Sequence, residues 1–134
     1  MFTHQHTLRV RYAETDQMGL VHHSSYVLYT EEARTEALRS LGVSYKDVEN
    51  LGVAMPVHSM NFEFKKAAYY DDLLTIKTIL KEAPTVRIKF LYELYNQEQQ
   101  LLSTAQVTLY FINRETGRPT RCPKYLMDLL AKFF

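Results

Sequence analysis

From Thr7 to Tyr12 the side chains alternate, with Leu8, Val10 and Tyr12 on one side and Arg9 and Arg11 on the other. A period of two predicts a half-buried strand. A polar loop follows, Ala13 to Gly19, in which Gly19 can supply an unusual backbone angle. From Ser24 to Leu41 the period lengthens: Tyr26, Tyr29, Ala33, Ala37 and Leu41 recur every three or four residues, opposite Glu31, Glu32, Arg34, Glu36 and Arg39. That pattern predicts an amphipathic helix, with Ser24 or Ser25 as its N-cap and Gly42 just past its end. Ser44, with Asp47 three residues on, predicts a short helix over Tyr45 to Asn50, closed by Gly52.

The remainder reads as strands. Val57 to Lys65 alternates with His58, Met60, Phe62 and Phe64 on one face; Leu73 to Lys81 follows the Asp71-Asp72 turn. Val86 to Tyr95 places Val86, Ile88, Phe90, Tyr92 and Leu94 together, and Leu101 to Ile112 runs to a turn at Arg114 to Pro119. A last short helix is expected from Pro123, a residue suited to the first helical position. One strand, one long helix and four successive strands predict an α+β domain over residues 1–134, with a five-stranded, mostly antiparallel sheet around the helix. One helix covers only one face of such a sheet. Because Leu109 and Phe111 oppose Tyr110 and Ile112, the uncovered side is expected to meet another subunit, most simply in a two-fold dimer.

Composition narrows the function classes. Sixteen Lys and Arg against fifteen Asp and Glu leave a formal charge of +1, so no global field recruits a polyanion, and a dedicated nucleic-acid binder is disfavoured. Apolar runs are too short for a membrane span, and the first residues lack the pattern of a secretory signal. The lone cysteine, Cys122, excludes an internal disulfide and fits a reducing compartment; a cytoplasmic location is expected. With no convincing base nearby, Cys122 reads as a structural residue. His4, His6, His22, His23 and His58 show no recognised metal-ligand spacing, so no metal is expected.

The densest polar cluster runs from Tyr12 to Tyr26, where the first strand hands over to the long helix. Helix starts present unpaired N–H groups that stabilise anions and developing oxyanions. A carboxylate (Asp16) and an imidazole (His23) beside such a start suit acyl transfer, although the same residues also serve as ordinary caps and turns. By periodicity alone Tyr12 belongs to the core, His22 is a cap or surface residue, and His58 packs beside Met60 and Phe62.

The run Arg9-Val10-Arg11-Tyr12-Ala13-Glu14-Thr15-Asp16-Gln17-Met18-Gly19-Leu20-Val21-His22-His23-Ser24-Ser25-Tyr26, followed by Glu32-Ala33-Arg34, resembles the signature of hot-dog-fold thioesterases of the 4-hydroxybenzoyl-CoA thioesterase group. It is particularly similar to the acyl-CoA thioesterases encoded with the Tol–Pal envelope system. Phe62-Glu63-Phe64, Ala67-Ala68 and Asp71-Asp72-Leu73 extend the similarity more weakly. The resemblance implies hydrolysis of short-chain or aromatic acyl-CoA, with Asp16 as catalytic carboxylate, Tyr12 and His23 in the site, and a helix-start N–H near His23 polarising the carbonyl. Glu14 departs from the group, which often has Asp there.

Gly19, Tyr26 and Met60 are the expected substrate-binding residues on the acyl side. Arg87 and Lys89 are expected to meet the phosphates of CoA, with Lys65, Lys66, Arg118 and Arg121 as further candidates. No cofactor is called for. The implied assembly is a homodimer or a dimer of dimers with sites at the subunit interface. The alternatives are an acyl-carrier-protein thioesterase and a protein that binds acyl-CoA or acyl carrier protein with little turnover. A hot-dog hydratase is disfavoured, because Asp16 to His22 does not match the Asp-x-Asn-Pro-x-His pattern of one such branch.

Overall fold

The computed structural model describes residues 1–134. Its elements are β1 (Phe2–Arg9), α1 (His23–Ser40), α2 (Tyr45–Asn50), β2 (Val53–Ala54), β3 (Val57–Phe64), β4 (Leu73–Leu80), β5 (Arg87–Tyr95), β6 (Leu101–Tyr110), β7 (Ile112–Asn113) and α3 (Lys124–Leu130). Five strands form one sheet in the order β1-β4-β5-β6-β3, and β2 pairs with β7 in a second, two-stranded one. Every pairing is antiparallel. This is the α+β arrangement expected, and β1 and β3 are the sheet's two edges.

Alternation decides which face is covered. Leu74, Ile76, Ile88, Phe90, Tyr92, Leu94, Val107 and Leu109 are almost wholly buried on the inner face, together with Ala33, Ala37 and Leu38 of α1. Burying each large apolar side chain contributes about 1.5–3 kcal/mol. The two alanines let helix and sheet approach closely; a leucine in place of Ala33 would overpack that seam and cost about 1–3 kcal/mol. Leu126 and Leu130 dock α3. The reciprocal cap of Ser44 and Asp47 forms as expected, at 3.1 and 2.9 Å.

Several boundaries differ from the sequence expectation, each for an identifiable reason. β1 begins at Phe2 because Phe2, His4 and His6 continue its alternation opposite β4, and it ends at Arg9, which pairs with Leu73, the first residue of β4. Val10 still bonds to Asp72 O and Asp71 N–H, but beyond it the chain turns into a short 3₁₀ segment at Tyr12–Glu14, so Tyr12 leaves the core and is 78% exposed, its ring against Tyr70 at 5.6 Å. The cap of α1 is His22, not Ser24 or Ser25: its Nδ1 accepts from the Ser24 N–H at 3.1 Å. Pro123 is the N-cap of α3 and not its first residue, so the helix starts one residue later than expected, at Lys124. Phe111, fully buried, separates β6 from β7.

A bulge between Val57 and Ser59 breaks the alternation of β3. Met60, Phe62 and Phe64 oppose Val107, Ala105 and Ser103 on the inner face, whereas His58 stacks on Tyr110 on the outer face, ring centroids 4.3 Å apart. His58 therefore does not share a face with Met60. The outer face also differs from expectation. It carries Lys77, Arg87, Lys89, Glu93, Thr104, Gln106 and Thr108 and is largely polar. Exposed apolar residues cluster along the β3 edge, at Val57, Met60 and Phe64, and on α1 at Val27 and Leu28, with others scattered over loops and termini.

Candidate active site

The segment between β1 and α1 is fixed almost entirely by short-range bonds. Thr15 donates both its N–H (3.1 Å) and its hydroxyl (2.7 Å) to the Tyr12 carbonyl. The Asp16 N–H bonds to Leu20 O at 2.7 Å, and the Gly19 N–H returns to Asp16 O at 3.1 Å, a turn that needs the positive φ of 79° at Gly19. The Asp16 side chain completes it: Oδ1 accepts from the N–H groups of Met18 (2.8 Å) and Leu20 (3.2 Å). Oδ2 has no hydrogen-bond partner within the chain. One oxygen is thus a structural anchor and the other is spare.

Glu14 ties this loop to the helix. Its carbonyl accepts from the His22 N–H (2.8 Å) and the Ser25 hydroxyl (3.1 Å). Its carboxylate accepts from the Arg11 N–H (2.8 Å), the Arg11 Nε (3.1 Å) and the Tyr29 hydroxyl (2.9 Å). Burial works against the charge of Glu14, but the Arg11 N–H, the Tyr29 hydroxyl and the Arg11 guanidinium favour it more strongly, and its pKa falls below the usual glutamate value. Tyr29 is held protonated by burial and by the same bond. On the other side, Val21 N–H bonds to Ala68 O at 2.9 Å.

At the helix start, Ser24 N–H is capped by His22 and Ser25 N–H bonds to His22 O at 2.9 Å. The His23 N–H has no acceptor within the chain. Asp16, His23 and Tyr26 line one open hollow of about 340 Å³, with Leu20, Val21 and Phe64 to Ala67. Tyr26 is buried and meets the Phe64 ring edge-on at 4.9 Å. Two residues that carry an unpartnered carboxylate oxygen and an unpartnered helix-start N–H thus line one hollow with two aromatic rings and two lysines. Such a set can attack or activate a nucleophile and stabilise an oxyanion.

The remaining sequence candidates lie apart. Tyr12 turns its ring to Tyr70 and contributes its carbonyl to the loop, not its phenol to the hollow. Met60 sits further along β3 and does not line the hollow; Gly19 shapes the loop through its backbone. Arg87 and Lys89 border a different hollow of about 150 Å³ on the outer face, with Lys81. Lys65 and Lys66, which ranked behind them, border the Asp16 hollow itself, as does Phe64, whose exposed inner-face position the alternation of β3 had signalled. Burial pushes the Cys122 thiol up to about 12, which keeps it protonated and inert. His4 and His6 lie on β1, His22 and His23 at the start of α1, and His58 on β3; no three His, Cys, Asp or Glu come together in metal-binding geometry.

With this geometry in place, relationships to known proteins are informative. The model of the thioesterase-like superfamily matches residues 10–131, and the chain belongs to that family. It is 33% identical over 126 residues to the acyl-CoA thioester hydrolase YbgC of Escherichia coli O157:H7, covering 94% of this chain and 92% of that one. Among solved structures it is similar to a DHNA-CoA thioesterase from Staphylococcus aureus, with TM-score 0.92, 31% identity, and coverage of 99% of this chain and 91% of that one. A 4-hydroxybenzoyl CoA thioesterase solved with 4-hydroxybenzoyl CoA has TM-score 0.84 at 21% identity, covering 95% and 97% of the two chains, which shows the shared hot-dog fold. No helix is long and apolar enough to cross a membrane.

Proposed function

We propose that this protein hydrolyses acyl-CoA thioesters to a free acid and CoA, with Asp16 as the carboxylate that acts on the thioester carbonyl. One observation carries the assignment: Asp16, with an unpartnered Oδ2, and His23, with an unpartnered helix-start N–H, line the same hollow. The carbonyl oxygen accepts from that N–H as negative charge develops, an interaction whose loss typically costs about 100- to 1,000-fold in rate. Asp16 either attacks the carbonyl carbon to give a mixed anhydride or takes a proton from the attacking water. The CoA thiolate is a good leaving group, and the exposed His23 imidazole orients water or the carboxylate beside it. Tyr12 supports the loop through its carbonyl. The 340 Å³ hollow and its Tyr26–Phe64 pair favour short-chain or aromatic acyl groups.

The resemblance of the Tyr12–Tyr26 run to the Tol–Pal-associated thioesterases supports assigning the protein to that type, and the lone Cys122 suits the cytoplasm. The working unit is a two-fold dimer formed by antiparallel pairing of two β3 edges, free to associate further into a dimer of dimers. An unpaired edge strand carrying exposed Val57, Met60 and Phe64 supports this seam, and the Asp16 hollow borders its end at Phe64. Met60 then lines the acyl side across the seam. Arg87 and Lys89 take the CoA phosphates.

Thiol release from a panel of acetyl-, butyryl-, benzoyl- and long-chain acyl-CoA, with matching acyl-carrier-protein thioesters, tests the assignment. Turnover of the short-chain or benzoyl esters is expected. Tight binding of acyl-CoA without thiol release over hours would replace the enzyme with a binding protein.

A further inference from the structure

Two polar side chains interrupt the apolar inner face of the sheet beneath α1. Along β4 the inward positions read Leu74, Ile76, Thr78 and Leu80, and along β5 they read Ile88, Phe90, Tyr92 and Leu94. The register sets the exceptions side by side. His4 pairs with Thr78 and Thr78 with Tyr92, so three polar side chains form one row across β1, β4 and β5. Opposite residues of neighbouring strands hold their Cβ atoms about 4.5–5.5 Å apart.

The chain buries four side-chain polar atoms without a hydrogen-bond partner: His4 Nδ1, Thr78 Oγ1, Tyr92 Oη and Arg34 Nη1. The first three belong to this row, and the guanidinium of Arg34 faces Tyr92 from α1. Imperfections of packing would be scattered through the core. These are contiguous, and they gather where the charge is.

The inner end of the row offers donors without an acceptor. Arg34 is 4% exposed, permanently charged and in no ion pair. Its one hydrogen bond runs from Nε to the Tyr45 hydroxyl at 2.9 Å, which occupies the Tyr45 oxygen and leaves that hydroxyl its own proton to give. The Tyr92 proton is equally uncommitted. Burial raises both phenols, so neither supplies a phenolate to balance the guanidinium. Glu31, the acid that acts on Tyr45, is exposed and makes no bond to Arg34.

A water molecule would accept two of these protons, add two of its own and leave the charge unbalanced. A monatomic anion accepts from every donor and neutralises the guanidinium as well. We infer that the Arg34 guanidinium and the Tyr92 hydroxyl bind a small monovalent anion of the size of chloride beneath α1, with Thr78 beside it on the sheet. The ion would join α1 to β5 and, through Tyr45, to α2. Arg34, Tyr92 and Thr78 do not line the Asp16 hollow, so its role is to hold the helix that carries His23 and not to take part in hydrolysis.

Stability at fixed ionic strength tests it. Urea unfolding is followed while chloride replaces gluconate, an anion too large for a sealed core. Above the dissociation constant, each tenfold rise in chloride should raise the wild-type folding equilibrium constant about tenfold, and bromide should act in the same way. Arg34→Met should show no such response, so any advantage it holds over the wild type in gluconate narrows as chloride is added. Tyr92→Phe keeps the ring, deletes the hydroxyl and should bind chloride about tenfold more weakly. Should Arg34→Met fail to fold, Tyr92→Phe carries the comparison. A wild-type protein indifferent to the exchange of anions overturns the inference, and so does a response that Arg34→Met or Tyr92→Phe shares in full.

A crystal soaked in bromide supplies a second readout. An anomalous peak is expected between Arg34 Nη1 and the Tyr92 hydroxyl. Density there without anomalous signal would be water, and the anion would be withdrawn. Both readouts are independent of turnover, so their failure leaves the thioesterase assignment standing.

Discussion

The two ends of one helix-borne problem, how to keep a charge beside α1, are solved in opposite ways. At the front, Asp16 is accessible, held by two N–H groups on one oxygen, and left with a second oxygen to spend on chemistry. In the middle, Arg34 is 4% exposed beneath the helix, donates from Nε to the Tyr45 hydroxyl at 2.9 Å, and meets no carboxylate. Its Nη1 and the nearby Tyr92 hydroxyl are buried without partners. Burial raises both tyrosines, so they stay neutral beside the guanidinium. Spare bonding capacity at an open hollow is reactivity; the same surplus in a sealed core is only a cost to folding.

The largest effect should come from the front. Asp16→Asn keeps the turn's acceptor but removes the charge, and is expected to lower kcat/KM about 10²- to 10⁴-fold with little change in urea midpoint. The middle should behave in reverse. Arg34→Ala is expected to cost about 2–4 kcal/mol of stability, whereas Arg34→Met, which fills the space without a charge, should match or exceed the wild type. Turnover per folded molecule should change less than about threefold in both, well inside the effect expected of any positioning group. A large fall in Arg34→Met turnover, measured at equal folded fraction, would break the contrast.

Glu14 tests where the boundary between the two regimes lies, because it is mostly buried yet adjoins the site. Its clamp on Arg11, Tyr29, His22 and Ser25 positions the loop and the helix start without touching substrate. Glu14→Gln should lower kcat about tenfold with KM nearly unchanged, and Glu14→Asp should restore part of it. Stability gives a second readout, with its sign fixed by the lowered pKa. The wild-type advantage over Glu14→Gln, about 1–2 kcal/mol at neutral pH, is complete above the ordinary glutamate value and lost as pH falls through the depressed one. Urea titrations from pH 7 to pH 3 should therefore converge at the acid end.

The front of the molecule was legible in the sequence to a useful degree. Periodicity found α1, α2 and four of the five long strands within a few residues, because those segments bury one face and expose the other, whereas β1 starts five residues before the expected Thr7. The Thr15-Asp16 pair and the helix start identified the hollow. What escaped depended on partners that no local pattern records. Tyr12 left the core because backbone pairing ends at Val10, bonded to Asp71 and Asp72, after which the chain turns, and His58 changed faces because one extra residue was accommodated opposite Leu109 and Thr108. His22 took the cap from two better-suited serines through its ring nitrogen. Arg34, on paper part of the polar side of the helix, went inward, where the Tyr45 hydroxyl accepts its Nε.

The most direct test of the account is a crystal structure of the Asp16→Asn protein with an intact acyl-CoA. The thioester carbonyl carbon should lie about 3–3.5 Å from the residue 16 side chain, its oxygen on the His23 N–H. An acyl group seated elsewhere, with that N–H facing only solvent, would contradict it.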